Sequence, residues 1–246
     1  MPAIRPTDSI SNNLIDKHLQ LTQALNIFGL SRTTYWHGMK GGMDVHGKLV
    51  SEGLASRGHK VSILSTAHPE GRHLDEINKV RIYYLHGTVY GARRQGWIEQ
   101  SSIMFEKLKR RHRVDVIWSQ SFDAFGLVHT KCIPAAIPLV ITLHGSIQQE
   151  LKTFSINLAN NLKKPNKVIR SVVGLFYSYF IAQKPVLQHA SSIVTVSPQV
   201  IDGLGKWYGR SIKKKCVLVP NGIDTNHFRP RLELRKQVRS QFGIDD

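Results

Sequence analysis

The sequence predicts an α/β domain built on a doubly wound, Rossmann-like parallel sheet, and three observations support this prediction. Short apolar or β-branched runs alternate with segments of helical spacing, which is the pattern of right-handed βαβ units. Several runs are nearly continuous in apolar residues, as expected of strands that helices cover on both faces. A length of 246 residues with 41% hydrophobic content suits one large α/β core rather than two full domains.

Seven runs are strand candidates. They start at Leu25, Lys60, Val80, Val114, Pro138, Ser191 and Cys216. Helices are predicted between them at residues 45–56, 97–111 and 198–208, where apolar residues recur at helical spacing. Ser197 suits an N-cap, and Pro198 suits the first turn of the last of these helices.

The domain prediction divides the chain into four parts. Residues 1–23, rich in Pro, Ser, Asn and Asp, form a poorly ordered lead, and residues 24–222 form the sheet domain. Within it, residues 151–190 are predicted to be a two-helix insertion that carries six basic residues and no acidic one. Residues 223–230 form a linker, and residues 231–246 are the charged start of a second, truncated domain.

The charge balance favours a polyanionic partner. The chain has 34 Lys and Arg against 17 Asp and Glu, which gives a net charge of +17. Nucleic acid, an anionic membrane face or a phosphorylated substrate would all satisfy this charge. Nucleic acid is disfavoured, because the basic residues are not interleaved with stacking aromatic residues in a known module.

The compartment is predicted to be the cytoplasm. Cys132 and Cys216 stand far apart and lack ligand spacing, so neither a metal site nor a disulfide framework is indicated, and no signal peptide is evident. The most apolar stretch, residues 172–182, is shorter than the roughly 20 residues of a membrane span. Flanked by Arg170 and Lys184, it is either a segment that lies on an anionic membrane or an ordinary core helix.

Two groups of residues are candidates for a functional role because each follows a predicted strand. Gly41 and Gly42 precede the first helix, where open backbone N–H groups can approach a phosphate, although a simple tight turn is the alternative. His144 and Gly145 follow the strand that starts at Pro138, at the edge of a parallel sheet where ligands bind. His144 can donate to a hydroxyl or stabilise developing charge, or it can simply be bonded to the backbone at a strand end.

Four segments together resemble retaining glycosyltransferases of family 4, which have the GT-B fold. They are KGGMDVHGKLVSEGLASRGHKVSILST, PLVITLHG, ASSIVTVSPQVIDGL and VLVPNGIDTNHFRP. The first resembles the family's glycine-pair loop and first helix, the second its strand ending in Thr, any residue, His and Gly, and the last two its interdomain crossing. The resemblance covers roughly residues 25–230, and the combination is more specific than any single motif.

The resemblance implies a role for each of these residues. Gly41, Gly42 and Gly145 would approach the donor diphosphate or the acceptor, and His144 would be the catalytic residue that faces the donor sugar at the reaction centre. Sugar would pass from a nucleotide-sugar to an acceptor with retention and without a metal or a cofactor. The family often has histidines after the fourth strand, whereas this chain has IWSQSFD, so Gln120 and Asp123 are predicted acceptor contacts.

Three functions remain open at this point. The first is the acceptor-side half of a glycosyltransferase whose donor-binding domain is supplied in cis or in trans. The second is a non-catalytic subunit that binds an acceptor or a membrane and needs a separate donor domain. The third is a nucleotide-sugar epimerase, which shares the architecture but is disfavoured by the motif PNGIDTNHF.

Overall fold

The computed structural model describes residues 23–38, 41–145, 155–156, 165–225 and 228–244. The predicted lead lies almost entirely outside this range, as does most of the first part of the predicted insertion. The strands are β1 (Asn26–Leu30), β2 (Lys60–Thr66), β3 (Leu74–Ile77), β4 (Val80–Leu85), β5 (Val116–Gln120), β6 (Leu139–Leu143), β7 (Ser192–Thr195) and β8 (Cys216–Leu218). The α-helices are α1 (Gly42–Ser56), α2 (Trp97–Arg111), α3 (Phe125–His129), α4 (Pro165–Phe176), α5 (Lys184–His189), α6 (Pro198–Tyr208), α7 (Arg210–Lys213) and α8 (Leu232–Gln241).

The strands form one sheet in the order β3-β4-β2-β1-β5-β6-β7-β8. Every neighbouring pair is parallel except β3 with β4, which form an antiparallel hairpin at one edge. The predicted fold class is therefore confirmed. The strand β3 was missed because its sequence, LDEI, is short and half charged, and it needs only one half-buried face at an edge.

Apolar side chains cover both faces of the sheet. In β1, Phe28 and Leu30 belong to one core and Ile27 to the other, which is the alternation that a pleated strand imposes. Gly29 lies on the same face as Ile27, and a Cβ at this position would come within 3.1 Å of Ile63 Cγ1 and 3.3 Å of the Trp118 ring. A glycine here lets the second core pack directly onto the backbone of β1.

The insertion ends in a nearly continuous helical run. Helix α4 passes into a π-helical segment, Tyr177–Gln183, and then into α5. Val186 and Leu187 of α5 are fully buried, which anchors the end of the run on the main core. Among the described helices, none combines the length and the apolar character needed to cross a bilayer.

The chain reverses its direction of strand addition between β1 and β5. Strands β2 and β4 extend the sheet on one side of β1, and β5 to β8 extend it on the other. At such a switch point the loops after the two central strands diverge and leave a crevice beyond the carboxyl ends. The residues that follow β1, β5 and β6 therefore border the expected ligand site.

Candidate functional site

His144 lies directly after β6, at the carboxyl edge of the sheet. It is half-buried, and its ring meets the ring of His46 on α1 edge to face, with centroids 4.4 Å apart at 75°. Burial, and to a lesser extent the neighbouring His46, lowers the pKa of His144 to about 4. His144 is consequently a neutral imidazole at neutral pH.

Gln120 connects His144 to the first helix. It is the last residue of β5 and is 1% exposed. Its Nε2 donates to the main-chain oxygen of Met43 at 2.7 Å and lies 3.3 Å from Nε2 of His144. Because only the nitrogen end of the amide can donate to a carbonyl, the Met43 contact fixes the orientation of the Gln120 amide.

The orientation of Gln120 selects the tautomer of His144. The second N–H of the amide faces His144 Nε2, which must accept, so the ring proton of the neutral imidazole lies on Nδ1. This arrangement gives His144 one N–H donor and no charge. It can hydrogen-bond a substrate oxygen at neutral pH, whereas it cannot act there as a cation.

Two buried polar atoms in this group lack a protein partner. Within the residues that the structure describes, Gln120 Oε1 and His46 Nδ1 are buried and make no hydrogen bond. Burial lowers the pKa of His46, and a weaker contribution from the neighbouring Gln120 amide opposes this. Buried polar atoms are usually paired, so an oxygen acceptor and a ring nitrogen left this way are available to a ligand or to water.

The glycine pair lies at the N-terminus of α1. The N–H of Gly41 donates to Asp44 Oδ2 at 3.1 Å, and Thr33 Oγ1 donates to Asp44 Oδ1 at 2.9 Å. Gly42 is exposed, and a Cβ there would contact nothing within 4 Å. Asp44 therefore already accepts from one backbone donor, and its negative charge offsets the positive end of the helix dipole.

Asp123 has a different environment from Gln120. It is buried, and its carboxylate accepts from the Arg32 backbone N–H at 2.8 Å and from Arg32 Nε at 2.6 Å. Its main-chain oxygen accepts from the indole N–H of Trp97 at 2.9 Å. Asp123 thus holds Arg32, the second residue after β1, in place across the switch point, and its assignment as an acceptor contact stays a prediction.

The structure groups the predicted site residues into two neighbouring sets. Gln120 and His144 make one set with the start of α1, and exposed Gly145 continues the chain from His144. Asp123 belongs to the second set, with Arg32.

Sequence inspection missed His46, Asp44 and Arg32. His46 lies one helical turn after Gly42, and Arg32 lies in the loop that directly follows β1. Both positions were visible in the sequence, although their contacts with Asp123 and His144, which lie more than 90 positions further along the chain, were not.

A profile of Glycosyltransferase Family 4 matches residues 40–227, which is more than half of the chain. Among curated proteins, none matches this chain. The structure is similar to sucrose-phosphate synthase from Thermosynechococcus elongatus, with a TM-score of 0.61 and 16% identity over 87% of this chain and 52% of that one. It is also similar to the catalytic domain of starch synthase IV from Arabidopsis thaliana, solved with ADP and acarbose, with a TM-score of 0.58 and 13% identity over 91% of this chain and 60% of that one.

At such low identity these likenesses concern the fold, and the chain spans about half the length of the sucrose-phosphate synthase. The fold is that of the N-terminal, Rossmann-like half of GT-B glycosyltransferases, as the sequence predicted. The profile match spans the positions of Gly41, Gly42, Gln120 and His144, and it identifies the family as well as the fold. The chain belongs to glycosyltransferase family 4.

Proposed function

We propose that this domain forms the acceptor side of an enzyme that transfers a sugar from a nucleotide-sugar to an acceptor hydroxyl with retention of the anomeric configuration. In this reaction the bond from the anomeric carbon to the diphosphate breaks, a bond to the acceptor oxygen forms, and the proton of the acceptor hydroxyl passes to the departing diphosphate. The observation that carries the proposal is the neutral His144, which Gln120 holds in one tautomer at the carboxyl edge of β6. Family membership favours this function over an epimerase.

His144 is proposed to contact the donor sugar. Its Nδ1–H would donate to a sugar hydroxyl, and a neutral donor suits this role because it does not attract the departing diphosphate away from its own site. A positioned polar group of this kind contributes by holding the reacting sugar in one orientation. Gly145, exposed and without a side chain, would leave the approach to His144 open.

The glycine pair is proposed to face the acceptor rather than the diphosphate. The carboxylate of Asp44 bonds Gly41 N–H and would repel a diphosphate at this helix end. The open surface of Gly42 leaves room for a substrate to approach, and the carboxylate can accept from an acceptor hydroxyl. Gln120 would contribute its buried Oε1 to the same region, whereas Asp123 would act by positioning Arg32.

The diphosphate is proposed to bind a donor domain that joins this one in cis or as a partner chain. Starch synthase IV, a structure of similar fold, was solved with ADP, which supports a nucleoside diphosphate as the leaving group. Its charge would be balanced by cations and helix ends of the donor domain, without a metal. In the proposed domain division, residues 223–230 link the two domains, and α8, which has no buried residue, begins the second.

A peripheral contact with an anionic membrane, at its cytoplasmic face, is proposed as well. Four apolar side chains at helical spacing are exposed by 46–60% on one side of α4 and the π segment: Ile169, Val173, Phe176 and Phe180. Residues 151–201 contain no Asp or Glu. An apolar stripe on a segment that has basic residues and no acidic ones is typical of a helix that lies in the interface of an anionic membrane.

This stripe also favours the second candidate function, a non-catalytic subunit that binds a membrane. One assay separates the two functions. The chain is tested for release of nucleoside diphosphate from a panel of nucleotide-sugars, alone and together with the donor domain. Turnover only in the combined protein supports transfer, no turnover in either supports the binding subunit, and turnover by residues 1–246 alone would contradict the proposed domain division.

A further inference from the structure

His46 of α1 lies against two other side chains of the candidate site. Its ring meets the ring of His144 edge to face, with centroids 4.4 Å apart. The next residue, Gly47, brings the backbone of α1 against Gln120, since a Cβ at Gly47 would lie 3.6 Å from Gln120 Nε2. Burial lowers the pKa of His46, and the Gln120 side chain partly opposes this shift, as an oxygen acceptor would. His46 is therefore a neighbour of both His144 and the Gln120 amide.

The two N–H groups of the Gln120 amide are both engaged. One donates to the main-chain oxygen of Met43 at 2.7 Å, and the other faces His144 Nε2 at 3.3 Å. The amide oxygen, Oε1, is the only polar atom of the side chain that remains, and an oxygen of this kind can only accept. In any hydrogen bond between Gln120 and His46, the histidine must therefore be the donor.

Burial decides which nitrogen of His46 donates. Within the described residues, His46 Nδ1 and Gln120 Oε1 are both buried and both without a hydrogen bond. Pairing Nδ1–H with Oε1 satisfies both atoms, whereas pairing Oε1 with Nε2 would leave Nδ1 buried and unmatched. Oε1 has a second lone pair, so it can still accept from another group. The favoured tautomer of His46 thus carries its proton on Nδ1.

The other ring nitrogen of His46 faces outward. His46 is half-buried, and its Nε2 is not one of the enclosed, unmatched atoms found in the part of the chain that the structure describes. With the proton on Nδ1, Nε2 carries a lone pair and can only accept. His144 has the complementary property, because its Nδ1–H can only donate. Two neighbouring neutral rings therefore present one acceptor and one donor.

We propose that His46 is a second substrate-binding residue, whose Nε2 accepts from a substrate hydroxyl at His144, so that the two histidines together select a hydroxyl over an oxyanion. This proposal rests on the proposed transfer function, which places the substrate at His144. A hydroxyl both donates and accepts, and it can satisfy the two rings together. A carboxylate or phosphate oxygen has no proton to donate to His46, and its charge would face a lone pair.

A bound hydroxyl would also complete a closed set of hydrogen bonds. The hydroxyl donates to His46 Nε2, His46 Nδ1–H donates to Gln120 Oε1, the Gln120 amide donates to His144 Nε2, and His144 Nδ1–H donates back to the hydroxyl oxygen. Two hydrogen bonds that meet at one oxygen join nitrogens about 4 to 5 Å apart, which suits rings whose centroids are 4.4 Å apart. Hydrogen bonds arranged in such a series polarise and strengthen one another.

The first test is the tautomer of His46, read from its ring nitrogens by long-range ¹⁵N–¹H NMR of the intact chain at about pH 7. Wild type should carry the proton on Nδ1 of His46. Gln120→Met, which has a similar size but no oxygen acceptor, should lose this fixed tautomer. A proton on Nε2 of His46 in wild type would overturn the proposal.

The second test is the response of the His46 ring to neutral methyl glycosides and to acetate, in the same NMR experiment. Glycosides should shift Nε2 of His46, and acetate should not. His46→Phe keeps a ring against His144 but has no acceptor, and it should weaken glycoside binding by at least about fivefold, the loss expected for one hydrogen bond. The control is His129→Phe, an exposed histidine with the ring of Phe125 beside it, which should change binding by less than about twofold.

Three results of the second test would overturn the proposal. They are no response of His46 to any glycoside, a response to acetate as large as that to the glycosides, and equal losses in His46→Phe and His129→Phe. Sugar transfer is not part of either readout. Failure here therefore leaves the proposed transfer function standing, and a chain without transfer activity would still report the tautomer of His46.

Discussion

The side-chain amide of Gln120 lies 3.3 Å from Nε2 of His144 and donates at 2.7 Å to the main chain of Met43. Through these two contacts one buried side chain joins the ends of β5 and β6 to the N-terminal turn of α1. The amide orientation, and with it the His144 tautomer, follows from a backbone carbonyl rather than from a charge. Gln120 and His144 therefore present hydrogen-bond donors that carry no charge. Specific effects of pH and of substitution follow from this.

Acid should destabilise the fold in part through His144. Its pKa in the folded protein is about 4, below the ordinary value of 6.5, so the unfolded chain takes up a proton in this interval that the folded chain does not. The free energy of unfolding then falls as pH drops from 6.5 toward 4. The lowered pKa values of His37 and His46 act in the same direction.

The measurement is urea denaturation of wild type and His144→Gln at about pH 7 and about pH 4.5. The variant should lose less stability on acidification than wild type, because one proton-linked group is gone. His112→Gln, at an exposed position after α2, is the control and should follow wild type. If the free energy of unfolding of His144→Gln fell with pH as steeply as that of wild type, the assigned pKa would be wrong.

The substitution Gln120→Glu should raise the pKa of His144. A carboxylate next to the imidazole favours its charged form, and the substitution also removes the amide donor that bonds Met43. NMR titration of the His144 ring resonances should show a pKa clearly above about 4 and a loss of the fixed tautomer. Gln188→Glu, at an exposed position near the opposite edge of the sheet, should leave the titration unchanged, and an unchanged titration in Gln120→Glu would refute the tautomer argument.

Removing the carboxylate of Asp123 should cost stability. The substitution Asp123→Ala breaks two hydrogen bonds to Arg32 and leaves a guanidinium that is only 20% exposed without its partner. We expect a loss of about 3 kcal/mol, at the low end for a broken buried pair because Arg32 keeps some contact with water. Asp202→Ala, which breaks an exposed pair with Lys213, should cost no more than about 1 kcal/mol in the same denaturation experiment.

The exposed stripe of α4 should govern membrane association. Wild-type protein should sediment with anionic vesicles and not with neutral ones, and added salt should release it. The double variant Phe176→Glu and Phe180→Glu should reduce this binding by at least about tenfold, since it puts two charges where apolar rings would insert. Ile103→Glu, at a comparably exposed apolar position on α2, should bind like wild type, and equal binding by all three proteins would exclude the stripe as the contact.

Much of the fold could be predicted from the sequence because local patterns determine it. Helices α2 and α6 occupy the predicted residues, and each predicted strand candidate contains a strand. Helix α1 starts at Gly42, slightly earlier than expected. The strand β3 and the π segment escaped prediction, since a half-charged edge strand and a local change of helical period leave no clear pattern in the sequence.

The candidate site was predictable only in part. The positions of His144 and the glycine pair follow from strand and helix ends, which are local features. The partners of these residues depend on side chains far apart in sequence, such as Arg32 with Asp123 and His46 with His144, and no local pattern fixes such contacts.

The four aromatic residues of the apolar stretch 172–182 differ in their surroundings for the same reason. Tyr177 stacks on Arg94, and Tyr179 donates to the main chain of Trp207, so only Phe176 and Phe180 of that set are exposed.

The turnover of His144→Ala, in the chain combined with its donor domain, tests the placement of His144 at the reaction centre. Release of nucleoside diphosphate from the best nucleotide-sugar is compared with that of wild type, while the melting temperature reports the integrity of the fold. We expect a rate at least about tenfold lower with a melting temperature close to that of wild type, as is typical for loss of a positioned polar group. A wild-type rate, or a loss of rate that merely follows a lower melting temperature, would contradict the placement of His144 at the reaction centre.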